Sequence, residues 1–237
     1  MIKSIMKLKT ALILCAGFGK RLMPLTESTP KPLLKVNKIS LLENSLNLLS
    51  ELGIKKVLIN TYHLGDKIKN FISDNNYNFK IEVYDDGKEI LNTGGGINNL
   101  IKNSSEENFL ILNPDTLWNK NYVPLIDKME ELYFSQKNLN ILLLVSKEKS
   151  FDKNLVGDFQ LKNSHILRGN NNFIYTGCQI INKSVFKNIT KKIFSINEIW
   201  NQLIFEKKLK GFESNLEFYH VTDLSIYKKL LELEKVF

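Results

Sequence analysis

An apolar run, Ala11-Leu12-Ile13-Leu14-Cys15, empties at once into Ala16-Gly17-Phe18-Gly19-Lys20-Arg21, and this junction constrains everything that follows it. The run has the length and composition of a buried strand, and the small residues after it form a loop at the strand's end. Glycine lets a backbone approach a ligand closely and turn its N–H groups inward, and the adjacent cations supply charge where a polyphosphate would carry its own. Farther along the same loop, Thr29-Pro30-Lys31-Pro32-Leu33 adds a second basic element. Its prolines fix the backbone on both sides of Lys31, so that this side chain is aimed.

Two familiar phosphate motifs do not fit. Gly17 and Gly19 are too close for a P-loop, and Arg21 follows Lys20 where Ser or Thr is needed. The dinucleotide fingerprint lacks its third glycine, and the next strand candidate, Lys56 to Asn60, ends without an acid for a ribose.

The following segments alternate. Ser40-Leu41-Leu42-Glu43 reads as a capping box opening a helix to Leu52, with Gly53 as its stop. Lys56 to Asn60 predicts a strand, Leu64 to Asn75 a helix and Phe79 to Tyr84 a third strand. This βαβαβ spacing predicts an α/β chain with a largely parallel sheet. His63 has no matching ligand nearby and reads as loop structure. Thr93-Gly94-Gly95-Gly96 precedes a short helical pattern, Ile97 to Ile101, and offers either a flexible turn or free N–H groups and bare backbone for a flat ligand. Phe109 to Leu112 is an apolar strand leading through Asn113 and Pro114 to Asp115, an acid placed to hold a divalent cation or to cap a helix. Val123 to Gln136 reads as a helix and Asn140 to Ser146 as another buried strand. After Lys147 the strands shorten to Gly157–Leu161 and Tyr175–Ile181. Asp223 reads either as an oxygen ligand or as the N-cap of a last helix, Leu224 to Val236.

The string Gly17-Phe18-Gly19-Lys20-Arg21-Leu22-Met23-Pro24-Leu25-Thr26, with Pro30-Lys31-Pro32-Leu33 after it, closely resembles the signature loop of the sugar-1-phosphate nucleotidylyltransferases. Gly157-Asp158-Phe159, Thr176-Gly177, Phe194 to Trp200 and Tyr219-His220-Val221 are similar to the compact branch typified by N-acetylmuramate-1-phosphate uridylyltransferases. The resemblance implies a Rossmann-like three-layer α/β fold, with residues 7–237 as one domain and 1–6 as an extension. It implies transfer of a nucleotidyl group, UMP in that branch, to a sugar 1-phosphate, with Mg²⁺ as cofactor; a mannose-1-phosphate guanylyltransferase is the near alternative.

By resemblance, Ala16, Gly17, Gly19, Lys20 and Arg21 hold the triphosphate, Arg21 stabilises the leaving pyrophosphate, and Lys31 bridges the two reacting phosphates. Asp115 holds the metal, Gly94 and Gly95 read the base through their backbone, and Asn113, Asp158 and Gly177 serve the sugar. Two departures stand out. Pro114 replaces the glycine of an Asn-Gly-Asp element, and His220 falls where the family places a second metal-binding aspartate, which leaves His220 or Asp223 to complete the site. That loss also motivates a reading as a non-catalytic nucleotide sensor. A glycosyltransferase would normally carry Asp-x-Asp, and Asn113-Pro114-Asp115 lacks the first acid.

Composition agrees with a cytoplasmic protein, monomeric or a small homo-oligomer. Hydrophobic residues make up 43% and charged residues 24% of the 237, and no apolar run approaches the ~18 residues of a membrane span. Cys15 and Cys178 read as reduced core residues. The net charge of +8 is spread along the chain with no arginine-rich tract, which argues against nucleic acid and favours mild attraction of anionic substrates.

Overall fold

The computed structural model describes residues 8–233; the extension expected at 1–6 and the part of the expected last helix beyond Leu233 lie outside them. In chain order the elements are β1 (Thr10–Leu14), the short α1 (Leu25–Ser28), β2 (Lys35–Val36), β3 (Ile39–Ser40), α2 (Leu41–Glu51), β4 (Lys56–Thr61), α3 (Gly65–Ser73), β5 (Lys80–Asp85), α4 (Asn92–Lys102) and β6 (Asn108–Leu112). They continue with α5 (Tyr122–Ser135), β7 (Asn140–Ser146), β8 (Gln160–Lys162), β9 (His165–Leu167), β10 (Phe173–Asn182), α6 (Ile196–Phe205), β11 (Leu209–Ser214) and α7 (Leu224–Glu232).

Period-two alternation in the central strands builds three layers. Ala11 and Ile13, Val57 and Ile59, Leu110 and Leu112, and Ile141 and Leu143 point to one face, where they meet Leu42 and Leu46 of α2, Ile68 of α3 and Ile126 of α5. Leu12, Leu58, Ile111 and Leu142 point to the other and meet Ile97 and Leu100 of α4 with Ile199 and Trp200 of α6. Strands covered on both faces read as near-continuous apolar runs, as in β1, whose Ala11, Leu12 and Ile13 are wholly buried.

The sheet order is β5-β4-β1-β6-β10-β7-β11-β9-β8. Its β5-β4-β1-β6 half is parallel, while β10 runs antiparallel between β6 and β7, so the whole sheet is mixed around a mostly parallel core. The chain leaves β1 for β4 on one side and returns to β6 on the other. That reversal opens a crevice beyond the C-terminal ends of the strands, where α/β sheets bind their ligands.

Local chemistry sets the helix ends. Ser40 Oγ accepts from the Glu43 N–H at 3.1 Å, and the Glu43 carboxylate accepts from the Ser40 N–H at 3.4 Å, completing the box that starts α2. Gly53, at φ +77, takes the left-handed turn after it. The glycine triplet is a correction to the sequence reading. It lies inside α4 rather than in a turn ahead of it, and all three glycines are buried. Close packing is the reason: an added Cβ would lie 2.4 Å from the Phe194 ring at Gly94, 2.3 Å from the Lys192 carbonyl at Gly95 and 2.7 Å from Asn60 Nδ2 at Gly96.

A third cluster joins the ends of the chain. Leu22, Leu34, Val36 and Leu41 pack with Val221, Ile226 and Leu230, so α7 buttresses the loop that follows β1. No helix of the described residues is long and apolar enough to cross a membrane.

Candidate active site

A cleft of about 380 Å³ opens over the C-terminal ends of β1, β4 and β6. Ala16, Gly17, Gly19, Lys20, Arg21 and Lys31 line one part of it and Asn113, Pro114 and Asp115 another, with Asn60, Asn92, Thr93 and Thr222 completing the wall.

The loop after β1 is held by its own residues. Gly19 adopts φ +64, and a Cβ there would lie 2.8 Å from Thr26 Cγ2 and 3.2 Å from Lys31 Cβ, so no larger residue fits. Thr26 Oγ1 donates to the Gly19 carbonyl at 3.0 Å, and His63 Nε2 donates to the Thr26 carbonyl at 2.8 Å. His63 is thus a structural strut. Phe18 packs between Tyr62 and His63, with ring centroids 5.7 and 5.3 Å away, and the Lys20 ammonium lies 5.5 Å from its centroid. Lys20 and Arg21 fall in a single 3-10 turn, and Arg21 is exposed with no hydrogen bond or ion pair to any described residue.

Asn60 ties the strand ends together. Its Oδ1 accepts from the Cys15 N–H at 3.0 Å, and its Nδ2 donates to Asp86 Oδ2 at 3.0 Å. Asp86 is buried, and that burial raises its carboxyl above the usual range despite the amide donors.

Asp115 is the centre of charge. Lys31 Nζ donates to its Oδ2 at 2.6 Å, and His220 Nε2 lies 3.1 Å from the same oxygen. The other oxygen, Oδ1, is buried with no hydrogen-bond partner. Burial works against the charge, yet the Lys31 ammonium, and after it the His220 imidazole, hold the carboxyl well below its ordinary range. His220 reaches this place through backbone pairing: the Leu117 N–H donates to the Tyr219 carbonyl and the Val221 N–H to the Asp115 carbonyl, setting Thr116 opposite His220.

Other expected residues fall elsewhere. Gly94 and Gly95 do not line the cleft; their neighbours Asn92 and Thr93 do, and the Gly95 N–H is spent on the Phe194 carbonyl at 3.1 Å. Gly177, at φ +89, forms a bulge in β10 whose Cα lies against Asn113, with its carbonyl accepting from the Asn113 N–H. Asp158 lies outside the lining; its carboxylate accepts from the Tyr175 N–H at 2.9 Å, and partial burial raises its carboxyl. Asp223 caps α7 by accepting from the Ile226 N–H at 2.9 Å, and Thr222 faces the cleft instead. Cys15 and Cys178 are free buried thiols, both pushed upward by burial.

Thr93 belongs to the glycine-rich element picked out from the sequence, whereas Asn60, Asn92 and Thr222 were not singled out there. Of the latter, only Asn60 left a signal, as an amide closing an otherwise apolar strand.

No group of three or more His, Cys, Asp or Glu that could hold a metal ion occurs among the described residues. A single carboxylate with an unsatisfied buried oxygen nonetheless suits Mg²⁺, which is commonly held by one or two carboxylates plus a substrate's phosphates.

A phosphate-ready loop at a topological switch point, facing a carboxylate, is the arrangement of an enzyme that handles nucleotides. The sequence profile of the nucleotidyl transferase family matches residues 10–152, and the chain belongs to that family. Among characterised relatives, the D-glycero-alpha-D-manno-heptose 1-phosphate guanylyltransferase of Aneurinibacillus thermoaerophilus is 28% identical over 231 residues, covering 92% of this chain and 95% of that one. The N-acetylmuramate alpha-1-phosphate uridylyltransferase of Caulobacter vibrioides is 23% identical over 223 residues, covering 91% and 92%. In fold, the chain is similar to the crystal structure of HddC from Yersinia pseudotuberculosis, with a TM-score of 0.73, 21% identity, and coverage of 95% and 99%.

Proposed function

We propose that this nucleotidyltransferase joins a nucleoside triphosphate to a sugar 1-phosphate and releases pyrophosphate. The observation that carries the reading is the cleft in which the loop of Gly19, Lys20 and Arg21 faces the Lys31–Asp115 pair. An oxygen of the sugar's phosphate attacks the α-phosphorus as the bond from that phosphorus to the bridging oxygen of the pyrophosphate breaks. The nucleophile is already ionised at neutral pH, so the chain's work is positioning and charge neutralisation.

In this scheme the N–H groups around Gly17 and Gly19 and the Lys20 and Arg21 cations hold the triphosphate, and the unpaired Arg21 guanidinium takes the developing charge of the pyrophosphate. Lys31 reduces the repulsion between the two phosphates as they close. Asn113 serves the acceptor. Asp115 would hold Mg²⁺, which when bound neutralises charge on the phosphates.

The narrower reading is UMP transfer to N-acetylmuramate 1-phosphate, in cytoplasmic recycling of cell-wall sugars, and similarity to the Caulobacter enzyme along most of the chain supports it. The higher identity to the heptose 1-phosphate guanylyltransferase supports a second, GMP transfer to a heptose 1-phosphate. Pyrophosphate release in Mg²⁺ across UTP, GTP, CTP and dTTP against N-acetylmuramate, heptose, mannose and glucose 1-phosphates separates them. One responding pair names the substrates. Silence in every combination, with triphosphate still bound, would make the protein a nucleotide sensor.

A further inference from the structure

The cleft carries one acid against three cations. Among the described residues lining it, Asp115 faces Lys20, Arg21 and Lys31, so the free site has a net positive charge. Within it the Lys31 ammonium lies 2.6 Å from Asp115 Oδ2, with His220 Nε2 3.1 Å from that same oxygen. The protein's own cation therefore already pairs the carboxylate that a divalent cation would use, and the oxygen left for an ion, Oδ1, is buried without a partner beside that ammonium. Lys31 is not free to swing aside without cause, because its side chain is only 14% exposed and Pro30 and Pro32 bracket its backbone.

We propose that Lys31 is a resident counter-ion that keeps a bare divalent cation off Asp115, and that it yields the carboxylate only to a cation arriving on a nucleotide's phosphates. The exchange conserves charge pairing at each stage. A metal ion alone meets a net positive cleft and must leave an ammonium beside it unpaired. A metal–triphosphate complex is an anion overall, so it is attracted by Lys20 and Arg21, and its phosphate oxygens replace Asp115 as partners of Lys31. His220, on the same oxygen, does not supply the hard oxygen ligand that a second carboxylate would, so the protein alone has no complete cage for the ion. The inference rests on the proposed nucleotidyl transfer for its purpose, but its core statement concerns metal binding by the free protein.

The test is uptake of Mn²⁺ alone, followed by the electron paramagnetic resonance signal of the free ion, without nucleotide or sugar. Wild type is expected to bind it weakly, and addition of a non-hydrolysable triphosphate analogue to raise the uptake. Lys31→Met is expected to bind Mn²⁺ alone at least about tenfold more tightly, since a like charge in contact has been removed. Asp115→Asn in the Lys31→Met background should abolish that gain. Lys31→Gln repeats the test with a polar side chain, and circular dichroism of each variant checks the fold. Folded Lys31→Met and Lys31→Gln proteins that bind Mn²⁺ no more tightly than wild type would overturn the proposal. Failure of pyrophosphate release in wild type would instead count against the nucleotidyl-transfer reading, and would leave the metal result standing.

Discussion

Replacing Gly95 with alanine separates a packing role for the glycine triplet from a ligand-reading one. The added Cβ would lie 2.3 Å from the Lys192 carbonyl oxygen and 3.0 Å from Leu91 Cβ. The first of these is about 1 Å inside an ordinary carbon–oxygen approach. The carbonyl belongs to backbone that cannot rotate away, and two residues on, the Phe194 carbonyl accepts the Gly95 N–H at 3.1 Å. Overpacking of this kind costs about 1–3 kcal/mol, and the better helix propensity of alanine returns about 1 kcal/mol. A 2.3 Å approach to backbone lies at the upper end of that range, so the net loss of about 2 kcal/mol lowers the melting temperature of a domain this size by about 4–8 °C. Calorimetry reads the stability, and fluorescence titration with a nucleoside triphosphate reads the binding. A variant that melts at or above the wild-type temperature while losing nucleotide affinity would refute the packing argument, because alanine would then have brought its helix propensity without a clash.

Three further outcomes follow from the same geometry. Arg21→Gln should weaken triphosphate binding about tenfold or more with no change in melting, since Arg21 has no partner among the described residues; a stability loss would reveal an internal role. Asp223→Ala should cost about 1 kcal/mol by removing the cap on Ile226, with the metal dependence of pyrophosphate release unchanged; a shifted metal requirement would make Asp223 a ligand. Glu82, held by Lys80, by the Tyr84 hydroxyl and by Lys56, has its carboxyl lowered to about 2. A depressed acid stabilises above its unfolded range and loses that stability as pH falls toward the folded value, so Glu82→Gln should cost at most about 1 kcal/mol at pH 7. The gap from wild type should close between about pH 4.5 and 2 in urea unfolding; a gap independent of pH would refute the ionic origin.

Much of the frame is written locally. The first strand, the capping box at Ser40 and Glu43 and the left-handed stop at Gly53 depend on residues within one turn of each other, and they form as the sequence predicts. Gly19, Lys20, Arg21 and Lys31 sit on one loop, so their convergence needs only that loop to close. Asp115 is visible because an acid ending a buried strand is placed at the sheet's edge by the strand itself. The elements missed include α6 and the short α1, β2, β3 and β9, together with β11, which carries lysine and glycine and pairs with β7 from far earlier in the chain.

The tertiary structure alone decided the contacts between distant segments. His220 meets Asp115 because residues 219–221 return to pair with 115–117, a register that no local pattern encodes. Three glycines before an apolar helix are equally consistent with a ligand seat and a tight helix contact. The segment from Lys192 to Ile196 settles the packing of Gly94 and Gly95 by occupying the space above them, and Asn60 does so for Gly96. The sequence by itself determined which residues would line a strand's end and with what charge, because side-chain chemistry and local backbone preference are properties of neighbours. Which oxygen of Asp115 is paired, and by which ammonium and which imidazole, depends on chain closure over 84 and 105 residues, and only packing of the whole sheet fixes that.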